Sequence, residues 1–132
     1  MKTATGLWID HRKAVIVRLT DKDEEIKIIP SNMEKHVRYS GEAEEETVED
    51  QRDRKYLLHL NRYYDEIISK IRDSEAIFII GPGKAKEELK NRLEKDNLGG
   101  LIAEVETVDK MTDVLIAAKV RKYFKKYHIK TV

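Results

Sequence analysis

The sequence predicts an α/β protein in which a mixed five-stranded sheet carries helices on its faces. Three observations predict it. The first thirty residues alternate apolar and polar positions with period two, broken by short polar turns. Residues 76–80, Ala-Ile-Phe-Ile-Ile, form a wholly apolar run of strand length, as a strand buried on both faces requires. The stretches between and after these repeat apolar residues at helical spacing.

Three short strands come first. Leu7 and Ile9 alternate with Gly6, Trp8 and Asp10, and Asp10-His11-Arg12-Lys13 breaks the run. Val15, Val17 and Leu19 alternate with Ile16 and Arg18 up to the polar break Thr20-Asp21-Lys22-Asp23. Ile26 and Ile28 alternate with Lys27 and Ile29, and Pro30 stops the third run. Breaks this short make an antiparallel meander. Residues 31–49 show no sustained periodicity and read as a long loop with a Ser40-Gly41 turn, a length usual for functional loops.

Thr47, with Asp50 three residues on, fits the start of a helix running to about Arg72. Leu57, Leu60, Tyr64, Ile67, Ile68 and Ile71 mark its buried face, with Tyr56 and Tyr63 flanking. The apolar fourth strand follows, then the turn Gly81-Pro82-Gly83. Pro82 suits the first turn of a helix that buries Ala85, Leu89 and Leu93. Glu88 and Arg92 are spaced to pair on its surface. Asn97 and Gly99-Gly100 stop it. A fifth strand covers Leu101 to Val105. Asp109 or Thr112 caps a last helix in which Met111, Leu115, Ala118 and Lys122 or Tyr123 follow the helical period to near Tyr127. The order is βββαβαβα. Right-handed crossovers set strands four and five parallel to the first, which gives strand order 3-2-1-4-5, the ribonuclease H-like arrangement.

At 132 residues and 40% hydrophobic content the chain fits one domain, 1–132, with a core that needs no metal or disulfide. It contains no cysteine, which removes disulfides, thiolate zinc sites and cysteine nucleophiles. No apolar h-region follows Met1, and no apolar run nears the roughly 18 residues of a membrane span. These features predict a soluble cytoplasmic protein. Net charge is only +1, yet the charges are unevenly spread. Glu42, Glu44, Glu45, Glu46, Glu49 and Asp50 crowd one stretch. Lys119, Arg121, Lys122, Lys125, Lys126 and Lys130 crowd the C-terminus without an intervening acid, the pattern of either a polyanion-binding end or a solvated helix face.

A ribonuclease H-like topology raises the question of a two-metal nuclease. Asp10 ends the first strand, and Asp65 or Glu66 lies on the first helix, but the fourth strand ends in Ile80-Gly81 without a carboxylate. One or two acids cannot clamp two divalent ions, and Asp10 reads instead as a turn residue bonding its own backbone. Gly81-Pro82-Gly83-Lys84 is a strand-to-helix turn but too short for a P-loop, and no Ser or Thr follows Lys84. His11, His36, His59 and His128 lack metal-ligand spacing. No metal or cofactor is expected. Lys35, His36, Arg38 and Tyr39 give the long loop cations and an aromatic, chemistry that suits phosphate contact and base stacking.

Several of these segments line up with one family. Lys35-His36-x-Arg38-x-x-Gly41 resembles the KHGRGGQ segment of archaeal and eukaryotic class-I peptide-release factors, at the corresponding place between the third strand and the long helix. Residues 77–83 followed by Lys86 and Leu89 resemble that family's strand and G-[PS]-x-x-x-K-x-x-[LF] helix start, which Pelota, its ribosome-rescue relative, shares in similar form. Gly6-Leu7-Trp8-Ile9-Asp10-His11-Arg12-Lys13-Ala14 and residues 108–113 look like a small stand-alone prokaryotic branch of the superfamily.

The resemblance implies the middle domain of these factors, whose fold is ribonuclease H-like and whose Gly-Gly-Gln tip helps water attack the peptidyl-tRNA ester. This chain departs from the pattern at the tip. Val37 replaces the first glycine, Tyr39-Ser40-Gly41 stands where Gly-Gly-Gln would be, and Gln51 lies too far along. The expectation is therefore a protein of the translation machinery that binds ribosomal or transfer RNA without catalysis. By family position Lys35, His36 and Arg38 are the expected contacts. Lys84, Lys86, Lys122, Lys125 and Lys126 form a second basic set. Two alternatives stand beside it: hydrolysis of a peptidyl- or acyl-tRNA ester without the tripeptide, and a protein–protein module whose acidic loop binds a basic partner.

Overall fold

Period-two segments become a meander in the computed structural model, which describes residues 3–32 and 48–126. β1 (Ala4–Ile9), β2 (Lys13–Leu19) and β3 (Glu24–Pro30) pair antiparallel. Asp10 closes the first turn as expected: its Oδ1 accepts the N–H groups of Arg12 at 2.8 Å and Lys13 at 2.9 Å. After residues 33–47 the chain enters α1 (Val48–Ile71), then β4 (Ala76–Gly81), α2 (Ala85–Lys95), a 3-10 turn at Gly99–Leu101, β5 (Ile102–Thr107) and α3 (Asp113–Lys126). β4 pairs parallel to β1 and β5 parallel to β4, so the sheet reads β3-β2-β1-β4-β5. This is the mixed sheet and order that the sequence predicts.

The sheet divides two apolar layers. On one side α1 and α2 cover Leu7, Ile9, Ile16, Ile77 and Ile79 with Leu60, Tyr63, Tyr64, Ile67, Ile71, Leu89 and Leu93. On the other, α3 covers Trp8, Val15, Val17, Phe78 and Ile80 with Ile116, Ala117, Val120 and Phe124. Alternation along β1 and β4 feeds both layers, which is why neither strand shows a polar face. Tyr123 stacks on Phe78 with centroids 3.9 Å apart, and Phe124 meets the same ring edge-on. Gly6 lets α3 come close: a Cβ there would lie 2.4 Å from Val120 Cγ2. Among the described residues no helix is long and apolar enough to cross a membrane.

Several local expectations change. The buried face of α3 runs through Ile116, Ala117, Val120 and Phe124, and Leu115 is 55% exposed. In α1, Leu57 is 58% exposed while Tyr63 is buried in the core rather than flanking it. Ile26 and Ile28 do share a face, but α3 lies over β1 and β2, so the edge strand keeps them half in solvent and buries Ile29 instead. Pro82 stays in the turn, and α2 begins at Ala85. Asn97 ends α2 in the left-handed region, φ 63°, as its C-terminal position suggests. Thr112 is the residue that caps α3, its Oγ1 accepting the Leu115 N–H at 3.3 Å.

Candidate functional site

Three parallel strands deliver their C-terminal ends to one end of the sheet, the usual place for sites in open α/β folds. There β1 runs into Asp10-His11, and β4 runs into the Gly81–Lys84 turn. Gly81 is required at this point, because a Cβ would stand 2.2 Å from the Ile9 carbonyl oxygen. The turn after it is tied on both sides. Val108 N–H donates to the Gly81 carbonyl, and Lys86 Nζ donates to the Gly83 carbonyl at 2.6 Å.

Glu88, one turn into α2, gathers this end together. Its Oε1 accepts the Tyr64 hydroxyl at 2.6 Å and lies 3.0 Å from His11 Nε2. Tyr63 on the same helix donates its hydroxyl to the Asp10 carbonyl at 2.9 Å. The sequence places Glu88 to pair with Arg92, but each takes a tertiary partner. Arg92 reaches across to Asp65 and Asn61 of α1. The root of the 33–47 segment is fastened here too: Ser31 Oγ donates to the His11 carbonyl at 2.6 Å, and Ser31 N–H to the Arg12 carbonyl.

The electrostatics follow from burial and these contacts. Partial burial of Glu88 opposes its ionisation, but hydrogen bonds from Tyr64 and His11 and the charges of His11 and Lys84 outweigh it and hold its carboxyl below the ordinary range. Burial raises the Tyr64 phenol, and its bond to Glu88 raises it further. Burial raises Tyr63, with the Asp10 charge adding to it. Both phenols therefore stay neutral donors. No cluster of three or more His, Asp or Glu poised for a metal occurs among the described residues. The arrangement offers a fixed carboxylate, neutral donors and an imidazole beside an exposed lysine, equipment for holding a polar ligand or a chain segment.

The residues expected from sequence fall in three places. Lys35, His36 and Arg38 lie outside the described residues. Lys84 is exposed at the start of α2, close enough to Glu88 to act on its charge. Lys86 is only 5% exposed and its ammonium is committed to the turn, so its role in this structure is to hold Gly83. Lys122 and Lys125 are exposed on α3, well away from the sheet end, whereas neighbouring Lys119 and Arg121 are tied to Glu106 and Glu24. For Lys126 only the helical backbone is described. Tyr63, Tyr64 and Glu88 carry no mark of a joint role in the sequence, since they are gathered at Asp10-His11 only after the sheet has closed.

The fold that frames this end is shared with translation factors. The Thermoplasma acidophilum Pelota protein superposes with a TM-score of 0.61 at 14% identity, over 94% of this chain and 32% of that protein. An archaeal translation termination factor superposes with a TM-score of 0.54 at 12% identity, over 96% of this chain and 40% of that factor. Archaeoglobus fulgidus Pelota gives 0.52 at 14% identity, over 96% of this chain and 37% of its own. The chain thus spans about a third of the length of these structures and corresponds to one part of each. No protein-family model and no curated protein matches the sequence.

Proposed function

We propose that this chain is a cytoplasmic, translation-associated module that binds ribosomal or transfer RNA. The observation that carries the reading is the superposition on Pelota and on a translation termination factor over nearly all of this chain. The motif order read from the sequence supports it, because Lys35-His36-x-Arg38 and the Gly81–Leu89 element occupy the places the release-factor family gives them. The binding end is the one that carries Lys84 and from which the chain leaves β3 toward Lys35, His36 and Arg38. Lys122 and Lys125, exposed on α3, with Lys126 next in sequence, are a second basic set. Binding is favoured over ester hydrolysis because Tyr39-Ser40-Gly41 stands where the family's hydrolytic tripeptide stands.

Sedimentation of the full chain with ribosomes through gradients tests this. Co-sedimentation at low salt that falls steeply as salt rises is expected if several phosphates are contacted. Joint replacement of Lys35, His36 and Arg38 by Ala, or of Lys84 by Ala, weakens it by about tenfold or more, on the scale of about 1.4 kcal/mol per decade. A wild-type chain that stays at the top of a low-salt gradient overturns the proposal.

A further inference from the structure

The sheet ends at β3, and no described strand pairs with its outer side. The backbone groups that this edge offers follow from two bonds at the ends of the β2–β3 ladder. Thr20 N–H donates to the Asp23 carbonyl, and Ser31 N–H donates to the Arg12 carbonyl. Both fit the register that sets Val17 opposite Ile26 and Ile16 opposite Lys27. Bonded and non-bonded pairs alternate along an antiparallel ladder. Glu25, Lys27 and Ile29 therefore bond to β2, while the N–H and C=O groups of Glu24, Ile26 and Ile28 point outward. The side chains of Ile26 and Ile28 stand on the α3 side of the sheet, 43% and 48% exposed. Glu25 and Lys27 project from the other face, exposed, and neither forms an ion pair among the described residues. Pro30, the residue that would blunt such an edge, sits only at its last position.

We propose that this edge pairs with the β3 edge of a second copy, antiparallel about a two-fold axis at Ile26, so that two sheets become one. Only registers centred on a residue bring outward groups opposite outward groups. Charge then chooses among them. Centring on Glu25 or on Lys27 sets that residue against its own copy, and like charges directly opposite destabilise a pair. Centring on Ile28 sets Pro30, which has no N–H, against an outward-facing Ile26.

Centring on Ile26 sets Glu25 against the partner subunit's Lys27 and Lys27 against the partner subunit's Glu25. These fall in the non-bonded pairs of the new ladder, where side chains approach most closely. Ile26 meets the partner's Ile26, and the outward groups of Glu24 and Ile28 exchange bonds with each other across the axis. The four isoleucines form a single apolar strip on the α3 side. Glu24 keeps its 2.7 Å contact to Arg121 beside that strip.

The test is sedimentation equilibrium of the full chain between about 10 μM and 1 mM, a range that reaches weak dimers. A dimer is expected. Glu25→Lys and Lys27→Glu each weaken it by about tenfold or more, and the double variant, which only exchanges the two charges, restores it. The absence of native cysteine allows a second readout. Ile26→Cys cross-links under mild oxidation, because a bonded pair sets Cα atoms about 5.5 Å apart, within disulfide reach. Ile28→Cys stays uncross-linked. A wild-type chain monomeric throughout the range overturns the proposal. So does a double variant that remains dissociated, or cross-linking at Ile28 in place of Ile26.

Discussion

Gly6 is a residue whose replacement the packing resists through a side chain rather than through backbone. It lies in the central strand β1, opposite Val17 on one side and Phe78 on the other. Its missing Cβ is filled from above by Val120, whose two methyl carbons would stand 2.4 and 2.6 Å from an added one. An alanine must therefore push α3 away from the sheet or twist Val120 out of its rotamer. Overpacking of this kind costs about 1–3 kcal/mol. Gly6→Ala is expected to lower the urea midpoint accordingly. Adding Val120→Ala recovers part of the loss, since residues in contact couple. Additive losses in the double variant would show that the two residues do not share the space.

The same scale shows what one dimension hides. The apolar run Leu115-Ile116-Ala117-Ala118 contains two plausible helical faces, and periodicity alone favours the wrong neighbour by one residue. Leu57 keeps the period of α1 but faces solvent, and its neighbour Tyr56 packs against the core instead. Glu88 and Arg92 have ideal spacing for a local pair. His11, Tyr64 and Asp65 offer partners in fixed positions, and these win over a solvent-exposed pair of small worth. The cluster around Glu88 was thus illegible: its members sit in three distant segments, and each alone reads as an ordinary surface or helix residue.

At the scale of elements, α1 is held at both ends of the sheet by polar ties. Near its start of contact, Tyr63 and Tyr64 reach Asp10 and Glu88. At its other end Arg18 of β2 forks onto both Asp73 oxygens, at 3.1 and 3.2 Å, and donates to the Lys70 carbonyl. The buried hydroxyls of Thr5 and Ser74 meet there as well, 2.6 Å apart. The Arg18 hydrogen bond holds the Asp73 carboxyl below its ordinary range. A carboxyl depressed in the folded state stabilises above its unfolded pKa and ceases to do so as pH falls through its folded pKa. Asp73→Asn should therefore lower stability near neutral pH, by about 0.5 kcal/mol for so exposed a pair. The difference should shrink to nothing in acid, once both states hold the proton. Parallel stability–pH curves for the two proteins would contradict this account of the clamp.

Element identity was far more legible than element contact. The wholly apolar β4 and the long period of α1 follow from physical needs that any partner would impose: burial on two faces and burial on one. The limits of α2 were displaced because Pro82, which fits a helix start, lies in a turn fixed by the close approach of Gly81 to the Ile9 carbonyl and by the Lys86–Gly83 bond. Lys86 itself illustrates the difference between composition and place. Counted with the basic residues, it turns out to be an internal fastener of the turn that presents Lys84.

Over the whole molecule, cover is unequal. β1 and β4 are buried on both faces, whereas β3 and much of β5 are not. Amides whose exchange requires loss of the full core should report global stability, and edge amides should exchange through smaller openings. Native-state hydrogen exchange is expected to place Leu7, Trp8, Phe78 and Ile79 in the slowest group and Ala103 and Glu104 in a faster one. Equal rates across the sheet would mean that it opens only as a unit. Strand order was legible because two rules, short antiparallel breaks and right-handed crossovers, leave few arrangements. The proposed translational role rests on the superposition over nearly all of this chain together with motif placement, and the gradient experiment decides it.

The central place of β1 also shapes how the chain comes together in time. β1 is the first of the five strands in chain order, and its antiparallel neighbour follows at once. Its parallel neighbour, β4, arrives only after β3, the 33–47 segment and the whole of α1 have been made. Until then one edge of β1 is open and Leu7, Trp8 and Ile9 lack most of their cover. Contacts this far apart in sequence are slow to form, since loop closure must precede them. During synthesis the meander would wait, half covered, with an unpaired edge exposed to other chains. The strand that enters first thus gains its second neighbour only when β4, past the middle of the chain, docks beside it.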